Sequence, residues 1–416
     1  MENPLLELQE YENLRDALKK AKGPLQATGT LDSQKVHLMY WLGKDGGFPW
    51  KLVVTYDDQR AREIYDDFRS FTENVWLYPA KDLLFYSADI HGNLMTRQRI
   101  AVWRHLMEDE EGVVVTTLDG LMDHLLPLVF LKQQAVTVEN GQIMDLDEWK
   151  ERLTALGYER TAQVDGMGQF SIRGGIIDIF PLTEEVPVRI ELWGDEVDSI
   201  RSFDPESQRS IAQMDSVLIY PAAELTLTKE QMENGTDRIE KEGKKQEKAF
   251  REAGKPEEAH RIKAAVGELC EALREGFDTH ALDGYIRYFC KETVSFLEYM
   301  KEAAGEERTD GALSGKDGSG ERAGLAIFLD EPQRLSEKAG VVETEFRESM
   351  SHRLEKGYLL PGQTDLLFSA KAVLAAAQTP EAVFMTGLDQ RLPGMTVKKK
   401  YSITGKNVNS YQNGFE

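Results

Sequence analysis

Three short apolar runs in the first third of the chain most constrain its fold. They are residues 51–56, 75–78 and 112–117. Segments with helical periodicity separate them, and such strands are typical of a parallel sheet covered by helices on both faces. A helix is also predicted for residues 118–126, before Pro127. A fourth apolar run, residues 325–329, repeats the pattern late in the chain. The sequence therefore predicts an α/β sheet domain that begins in residues 1–130 and is completed in residues 323–395.

A different pattern occupies residues 131–222, where several short strands follow one another. In residues 188–192, three apolar side chains alternate with Arg189 and Glu191, which predicts one buried and one exposed face. Residues 134–145 are predicted to form a hairpin that turns at Asn140-Gly141. This part of the sequence therefore predicts an antiparallel α+β domain inserted into the first domain.

Residues 223–322 predict a highly charged helical domain. Within it, residues 305–321 are rich in Gly, Asp, Glu and Ser and predict a mobile loop. The charged helices could bind a partner, although such runs are more often solvated faces. Residues 396–416 are basic and then polar, which indicates a linker into a further domain that this chain lacks.

The net charge of -22 argues against tight binding of nucleic acid by this chain alone, because phosphate contacts need Lys and Arg. Arg97, Arg99 and Arg104 leave weak DNA contact open, but they could equally form a solvated helix face. Cys270 and Cys290 lack metal-ligand spacing, so buried free thiols are expected. With neither a signal peptide nor a membrane span in the sequence, we expect a cytoplasmic protein. We expect it to have no metal, cofactor or small-molecule substrate.

A phosphate-binding loop requires a Gly-Lys pair followed by a hydroxyl residue, and no Gly-Lys pair in the chain has this surrounding pattern. Thr28, Gly29 and Thr30 remain where such a loop would precede the first helix. Asp330 and Glu331 end the late apolar run, where a nucleotide hydrolase would hold magnesium. These five residues predict a vestigial nucleotide site without ATP hydrolysis, although the acidic pair could also be a simple strand-end turn.

The strands around residues 169–209 carry Arg173, Arg189 and Trp193 close together. Arginine and aromatic residues are the side chains that dominate binding at protein interfaces. The alternative is structural: the arginines would pair across strands with the carboxylates of the same sheet, and Trp193 would lie in the core. The carboxylates in question are Asp178, Glu191 and Asp198.

The same run resembles the second domain shared by the excision-repair protein UvrB and the family of transcription-repair coupling factors (Mfd). The specific block is Phe-Ser-Ile-Arg-Gly-Gly-Ile-Ile-Asp-Ile-Phe-Pro, residues 170–181. The resemblance extends back through residues 77–82 and forward to Asp330-Glu331. The coupling factors fit better than UvrB, which has an intact phosphate loop and a long aromatic hairpin. Residues 82–97 are too short to hold that hairpin.

The resemblance implies an amino-terminal UvrB-like module with a degenerate helicase-like domain, an inserted UvrA-binding domain and a helical domain. The UvrA-contact positions of the family fall on Arg173, Arg189 and Trp193, where Trp193 replaces another aromatic residue. It further implies an adaptor in transcription-coupled nucleotide excision repair that recruits UvrA to stalled RNA polymerase. Binding of RNA polymerase and DNA, and ATP-driven translocation, would belong to domains absent from this chain.

Two rival hypotheses remain open. The chain could be an ATP-dependent DNA helicase subunit that binds damaged DNA, although the missing phosphate loop argues against this. The module could also fold back on the absent translocase and mask its own UvrA-binding face.

Overall fold

The computed structural model describes residues 3–81, 92–275, 282–305, 307–309, 312–314 and 324–403. The strands are β1 (Leu25–Thr28), β2 (Trp50–Thr55), β3 (Val75–Tyr78), β4 (Gly112–Thr117), β5 (Val136–Glu139), β6 (Glu159–Arg160), β7 (Gln169–Arg173), β8 (Ile176–Ile179), β9 (Val188–Trp193), β10 (Glu196–Phe203), β11 (Ser210–Met214), β12 (Ser216–Ile219), β13 (Glu307–Thr309), β14 (Ala312–Ser314), β15 (Leu325–Asp330), β16 (Ala382–Thr386) and β17 (Lys399–Ser402). The helices are α1 (Gln9–Lys19), α2 (Ser33–Gly46), α3 (Asp58–Phe68), α4 (Gly92–Glu108), α5 (Leu128–Gln134), α6 (Leu146–Ala155), α7 (Lys229–Glu252), α8 (Pro256–Glu275), α9 (Ile286–Phe289), α10 (Phe296–Ala303), α11 (Pro332–Glu355) and α12 (Ala370–Ala376).

A seven-stranded sheet has the order β17-β1-β16-β15-β2-β4-β3, and every neighbouring pair is parallel. Strands β1, β4, β15 and β16 are buried at every residue, as expected for strands covered on both faces. Apolar clusters lie on the two sides of this sheet. The predicted late return of the chain is β15, which lies between β2 and β16. The α/β fold class is therefore confirmed.

A six-stranded sheet has the order β11-β10-β9-β8-β7-β6 and is antiparallel except for the β6–β7 pair. Ile177, Ile190 and Ile200 point from its inner face into the core and are fully buried. Its outer face carries the charged side chains described below. The predicted antiparallel α+β part is therefore confirmed.

The hairpin predicted for residues 134–145 is wrong. The chain does turn at Asn140-Gly141, where Gly141 has a φ of +81°. However, β5 pairs with β12, and the residues after the turn run beside the start of β10. The reason is burial: Val136 and Val138 of β5 face the core together with Ile219 of β12.

The helical part is built around the long helices α7 and α8. Helix α7 begins with a capping box, in which Thr228 and Gln231 each bond the backbone of the other. Cys270 and Cys290 are buried free thiols, as predicted, and burial raises the pKa of Cys290 to about 11. No helix in the described residues is long and apolar enough to cross a membrane.

Three predicted segments need correction. Residues 399–402, assigned to a linker within 396–416, form β17, because Tyr401 is buried against the sheet. In the predicted mobile loop, residues 305–321, β13 and β14 pair antiparallel, and residues 306, 310–311 and 315–321 lie outside the described residues. The helix predicted for residues 118–126 is only a 3-10 turn at Asp119–Leu121. After it, Asp123 and Leu125 form bridges to other segments.

A buried network of charged side chains connects distant segments of the molecule. Arg99 of α4 is fully buried and contacts Asp123 at 2.8 Å and Glu224 at 2.9 Å. Lys81 contacts the other oxygen of Glu224 at 2.8 Å and Asp283 at 2.6 Å. The network therefore ties β3 and α4 to the segment before α7 and to the segment before α9.

Arg99 is thus neither a DNA contact nor part of a solvated helix face, because it neutralises buried carboxylates. Arg104 is partly exposed, and its guanidinium donates to the backbone oxygen of Thr183 at 2.9 Å. The three arginines of α4 therefore do not form one basic surface.

Candidate docking face and vestigial nucleotide site

The predicted vestigial residues lie at the carboxyl ends of the parallel strands. Thr28 ends β1, Gly29 and Thr30 follow it before α2, and Asp330 ends β15. Ligands of open α/β sheets bind at this edge. Gly29 has a φ of +90°, and Glu331 is left-handed at +45°, a conformation uncommon for a residue with a side chain. The structure therefore brings these residues to the edge where a nucleotide would bind.

A lysine that the sequence reasoning missed occupies this site. Lys35 lies in the first turn of α2, is 4% exposed, and extends its Nζ between the two acidic residues. The Nζ atom of Lys35 lies 2.7 Å from Oδ1 of Asp330 and 2.6 Å from Oε1 of Glu331. The second oxygen of Asp330 accepts from Thr55 at 3.0 Å, and Arg60 contacts it at 3.4 Å.

This arrangement leaves the acidic pair already neutralised. An ammonium group lies against both carboxylates, so a magnesium ion would have to displace it. Glu331 is held further by the backbone N–H of Gly387, at 2.9 Å. Lys35 does not match the phosphate-loop pattern, because it lies several residues beyond Gly29 rather than beside it. The sequence did carry a signal for Lys35. It lies on the apolar face of a helix, and a lysine buried there requires a partner of opposite charge.

The second candidate site is the outer face of the six-stranded sheet, which we call the docking face. It comprises Arg173, Asp178, Arg189, Glu191, Trp193 and Arg201. The strand register explains why they share a face: Arg189 pairs with Asp178 on β8 and with Arg201 on β10. Directly paired residues in a sheet point to the same side. The inner face of the same strands is apolar, so the charged set must lie outside.

Asp178 is the centre of the docking face. It is fully buried and accepts from Arg189 at 2.6 and 2.9 Å and from Arg173 at 2.7 Å. Arg189 also donates to the side-chain oxygen of Gln208 at 3.1 Å, and its guanidinium lies 4.5 Å from the ring of Phe203. Hydrogen bonding to Asp178 raises the pKa of Arg189. The predicted pairing across strands is therefore present at Asp178.

The two arginines differ in how much of each side chain reaches solvent. The side chain of Arg173 is 50% exposed, whereas that of Arg189 is 16% exposed. Half of the Arg173 side chain is therefore accessible from solvent. Arg189 mainly fixes the carboxylate that orients Arg173.

Arg201 is a further cation of the docking face that the sequence reasoning did not select. It forms an ion pair with Glu191 and donates to Oγ of Ser199 at 3.2 Å. The side chains of Arg201 and Glu191 are 38% and 30% exposed. The sequence did carry a signal for Arg201. It follows the buried Ile200, and alternation along the strand places it on the polar side of β10.

Trp193 ends β9 and is 83% exposed, so the alternative prediction that it lies in the core is wrong. The turn that follows it uses Gly194 at a φ of +68°. An indole held in water beside ion pairs is suited to an interface, where it supplies apolar area next to charge-assisted hydrogen bonds. The docking face thus combines an exposed aromatic side chain with partly exposed arginines.

Comparisons with known proteins match the segment that carries this surface to a known domain family. Residues 136–225 match the family described as the UvrB interaction domain. The chain is 31% identical over 331 residues to a transcription-repair-coupling factor of Bacillus subtilis (strain 168), covering 79% of this chain and 26% of that protein. It is 28% identical over 318 residues to the protein of the same name from Staphylococcus epidermidis (strain ATCC 12228 / FDA PCI 1200), covering 75% and 25%. The chain therefore spans about a quarter of the length of these relatives.

Proposed function

The chain belongs to the transcription-repair-coupling factor family, as its amino-terminal UvrB-like module, and we propose that it is the adaptor that recruits UvrA. In the complete protein this adaptor would bring UvrA to an RNA polymerase stalled at damaged DNA. Contacts with the polymerase and with DNA would belong to other domains of the complete protein.

The exposure of Trp193 is the observation that carries this proposal. A large indole is 83% exposed on the same face of the sheet as Arg173, which is half exposed and already oriented by a buried carboxylate. Holding Arg173 in place before binding reduces the side-chain entropy that association costs. A partner with a carboxylate opposite Arg173 and an apolar pocket for Trp193 would bind here.

We expect Trp193→Ala to weaken the binding of purified UvrA at least tenfold, because central aromatic anchors contribute about 2 kcal/mol or more at interfaces. Arg173→Ala should also weaken it, since the partner carboxylate would lose its counter-charge. Fluorescence titration or calorimetry with the whole chain measures both.

The matched control is Tyr358→Ala, which removes an aromatic side chain that is 57% exposed but lies in the helical part. It should leave UvrA affinity unchanged. A folded Trp193→Ala protein that binds UvrA as tightly as the unaltered chain would overturn the adaptor proposal.

We also propose that this module does not hydrolyse ATP. The support is Lys35, whose ammonium lies against Asp330 and Glu331 and is nearly buried. A nucleotide-bound magnesium ion would have to break both ion pairs, and the loop before α2 lacks the Gly-Lys pair that binds the terminal phosphates.

Equilibrium titration with a non-hydrolysable ATP analogue and Mg²⁺ tests this. We expect no saturable binding below about 1 mM, which corresponds to a binding free energy of roughly 4 kcal/mol. Micromolar affinity would contradict the proposal. If that binding then disappeared in Lys35→Ala, it would assign Lys35 a role as a phosphate ligand.

A further inference from the structure

A second large apolar side chain is exposed beside Trp193. Ile143 is 63% exposed, against 83% for Trp193, and it follows the turn at Asn140-Gly141. It is not one of the UvrA-contact positions that the family resemblance supplies. Its place in the sheet relates it directly to the docking face.

The backbone fixes where Ile143 lies. Glu196, the first residue of β10, pairs with Trp193 on one side and with Ile143 on the other. Since directly paired residues point to the same face, the three side chains form one row. Adjacent strands are about 4.8 Å apart, so Ile143 and Trp193 lie about 10 Å apart, with Glu196 between them.

The segment that carries Ile143 is firmly attached. The backbone N–H of Gly141 donates to Val197 at 2.8 Å, and that of Met144 donates to Asp195 at 2.7 Å. Met144 is 2% exposed, so it fixes this segment to the core while its neighbour Ile143 points to solvent. The exposure of Ile143 is therefore set by strand alternation, in the same way as that of Trp193.

The middle of the row is acidic. Among the described residues, no Lys, Arg or His nitrogen lies within 4 Å of the Glu196 carboxylate, whereas Glu191 in the neighbouring row is paired with Arg201. An exposed carboxylate between two exposed apolar side chains is complementary to a basic group flanked by apolar ones. The row is continuous with the arginine-bearing part of the docking face through Trp193 and Glu191 of β9.

We propose that Ile143, Glu196 and Trp193 form a second row of the docking face that binds an apolar–basic–apolar surface of the partner. The two apolar groups of that surface would lie about 10 Å apart. This inference rests on the proposed adaptor function, and it adds Ile143 as an anchor and Glu196 as the residue that selects a basic group.

The decisive comparison is Ile143→Thr against Ile211→Thr, with UvrA affinity of the whole chain as the readout. Threonine keeps the β-branched shape, so the strand geometry should persist. Ile211 is 59% exposed but lies on β11, near the far end of β10. We expect about a fivefold to tenfold loss for Ile143→Thr and less than a twofold change for Ile211→Thr. Glu196→Lys should weaken binding more than Glu196→Gln, because it repels a basic group.

The outcomes separate this inference from the proposed function. If Trp193→Ala loses affinity while Ile143→Thr and Glu196→Lys bind normally, the second row is overturned and the adaptor function stands. If none of the three variants changes affinity, both fall. Equal losses for Ile143→Thr and Ile211→Thr would also overturn the row, because the effect would then be general to the sheet.

Discussion

Arg173 and Arg189 both hydrogen-bond to the carboxylate of Asp178, from strands on opposite sides of β8. Their surroundings nevertheless give the two arginines different roles. Arg189 uses its guanidinium on Asp178 and Gln208 and covers the ring of Phe203. Arg173 makes one contact at 2.7 Å and leaves half of its side chain in water. At the residue scale, the centre of the docking face is therefore a buried anion with one internal and one outward-facing cation.

We expect Arg189→Ala to lower the free energy of unfolding by about 2–3 kcal/mol, because it leaves the buried Asp178 with a single cation. Arg173→Ala should cost less than about 1 kcal/mol, since an exposed ion pair contributes little. Urea denaturation of the two variants measures the difference. Equal losses would contradict the division of roles between the two arginines.

A consequence for binding experiments follows from this difference. Any loss of UvrA affinity in Arg189→Ala would combine a disturbed sheet with a missing contact. Arg173→Ala and Trp193→Ala change side chains that the fold does not need, so they report on the contact itself.

At the scale of strands and helices, the sequence predicted the elements whose burial pattern is strong and local. The apolar runs at β2, β4 and β15 and the alternation in β9 are examples. It missed β1, β16 and β17, which are four or five residues long and depend on neighbours from the other end of the chain. The sequence prediction gave β5 the wrong partner strand, because a turn signal does not specify which strands pair with each other.

The candidate sites divide in the same way. Residue types and alternation located Arg173, Arg189 and Trp193, because all three lie on adjacent strands of one local sheet. The exposed state of Trp193 could not be derived, since it depends on where the sheet ends. Lys35 and Asp330 are far apart in sequence, and only the assembled parallel sheet brings their charged atoms within 2.7 Å. The burial of Arg99 likewise depends on contacts with two carboxylates from other segments, those of Asp123 and Glu224.

At the scale of the whole molecule, the Arg99 network connects the large sheet with the helical part. We expect Arg99→Met to lower the free energy of unfolding by about 3–5 kcal/mol, because Asp123 and Glu224 would stay buried with too little positive charge. Burial already raises the pKa of Asp123, which indicates how poorly solvated this carboxyl is. Thermal and urea unfolding, followed by circular dichroism, measure the loss.

Arg97→Met is the control for this substitution, since it removes an arginine from the same helix at a position that is only partly buried. It should change stability by less than about 0.5 kcal/mol. If Arg99→Met unfolds at the same urea concentration as the unaltered chain, the network does not hold these parts together.

The order of strands in the large sheet also bears on how the molecule is made. β1, the strand nearest the amino terminus, lies between β16 and β17, which come from the other end of the chain. The ribosome synthesises about 5–20 residues per second, so the stretch between β4 and β17 takes roughly 15–60 s to emerge. During that time the early apolar strands lack their neighbours, while the antiparallel sheet, whose pairings are close in sequence, can already fold. Nascent chains of this module should therefore depend on chaperones to shield β1 and β2 until β15, β16 and β17 have been synthesised.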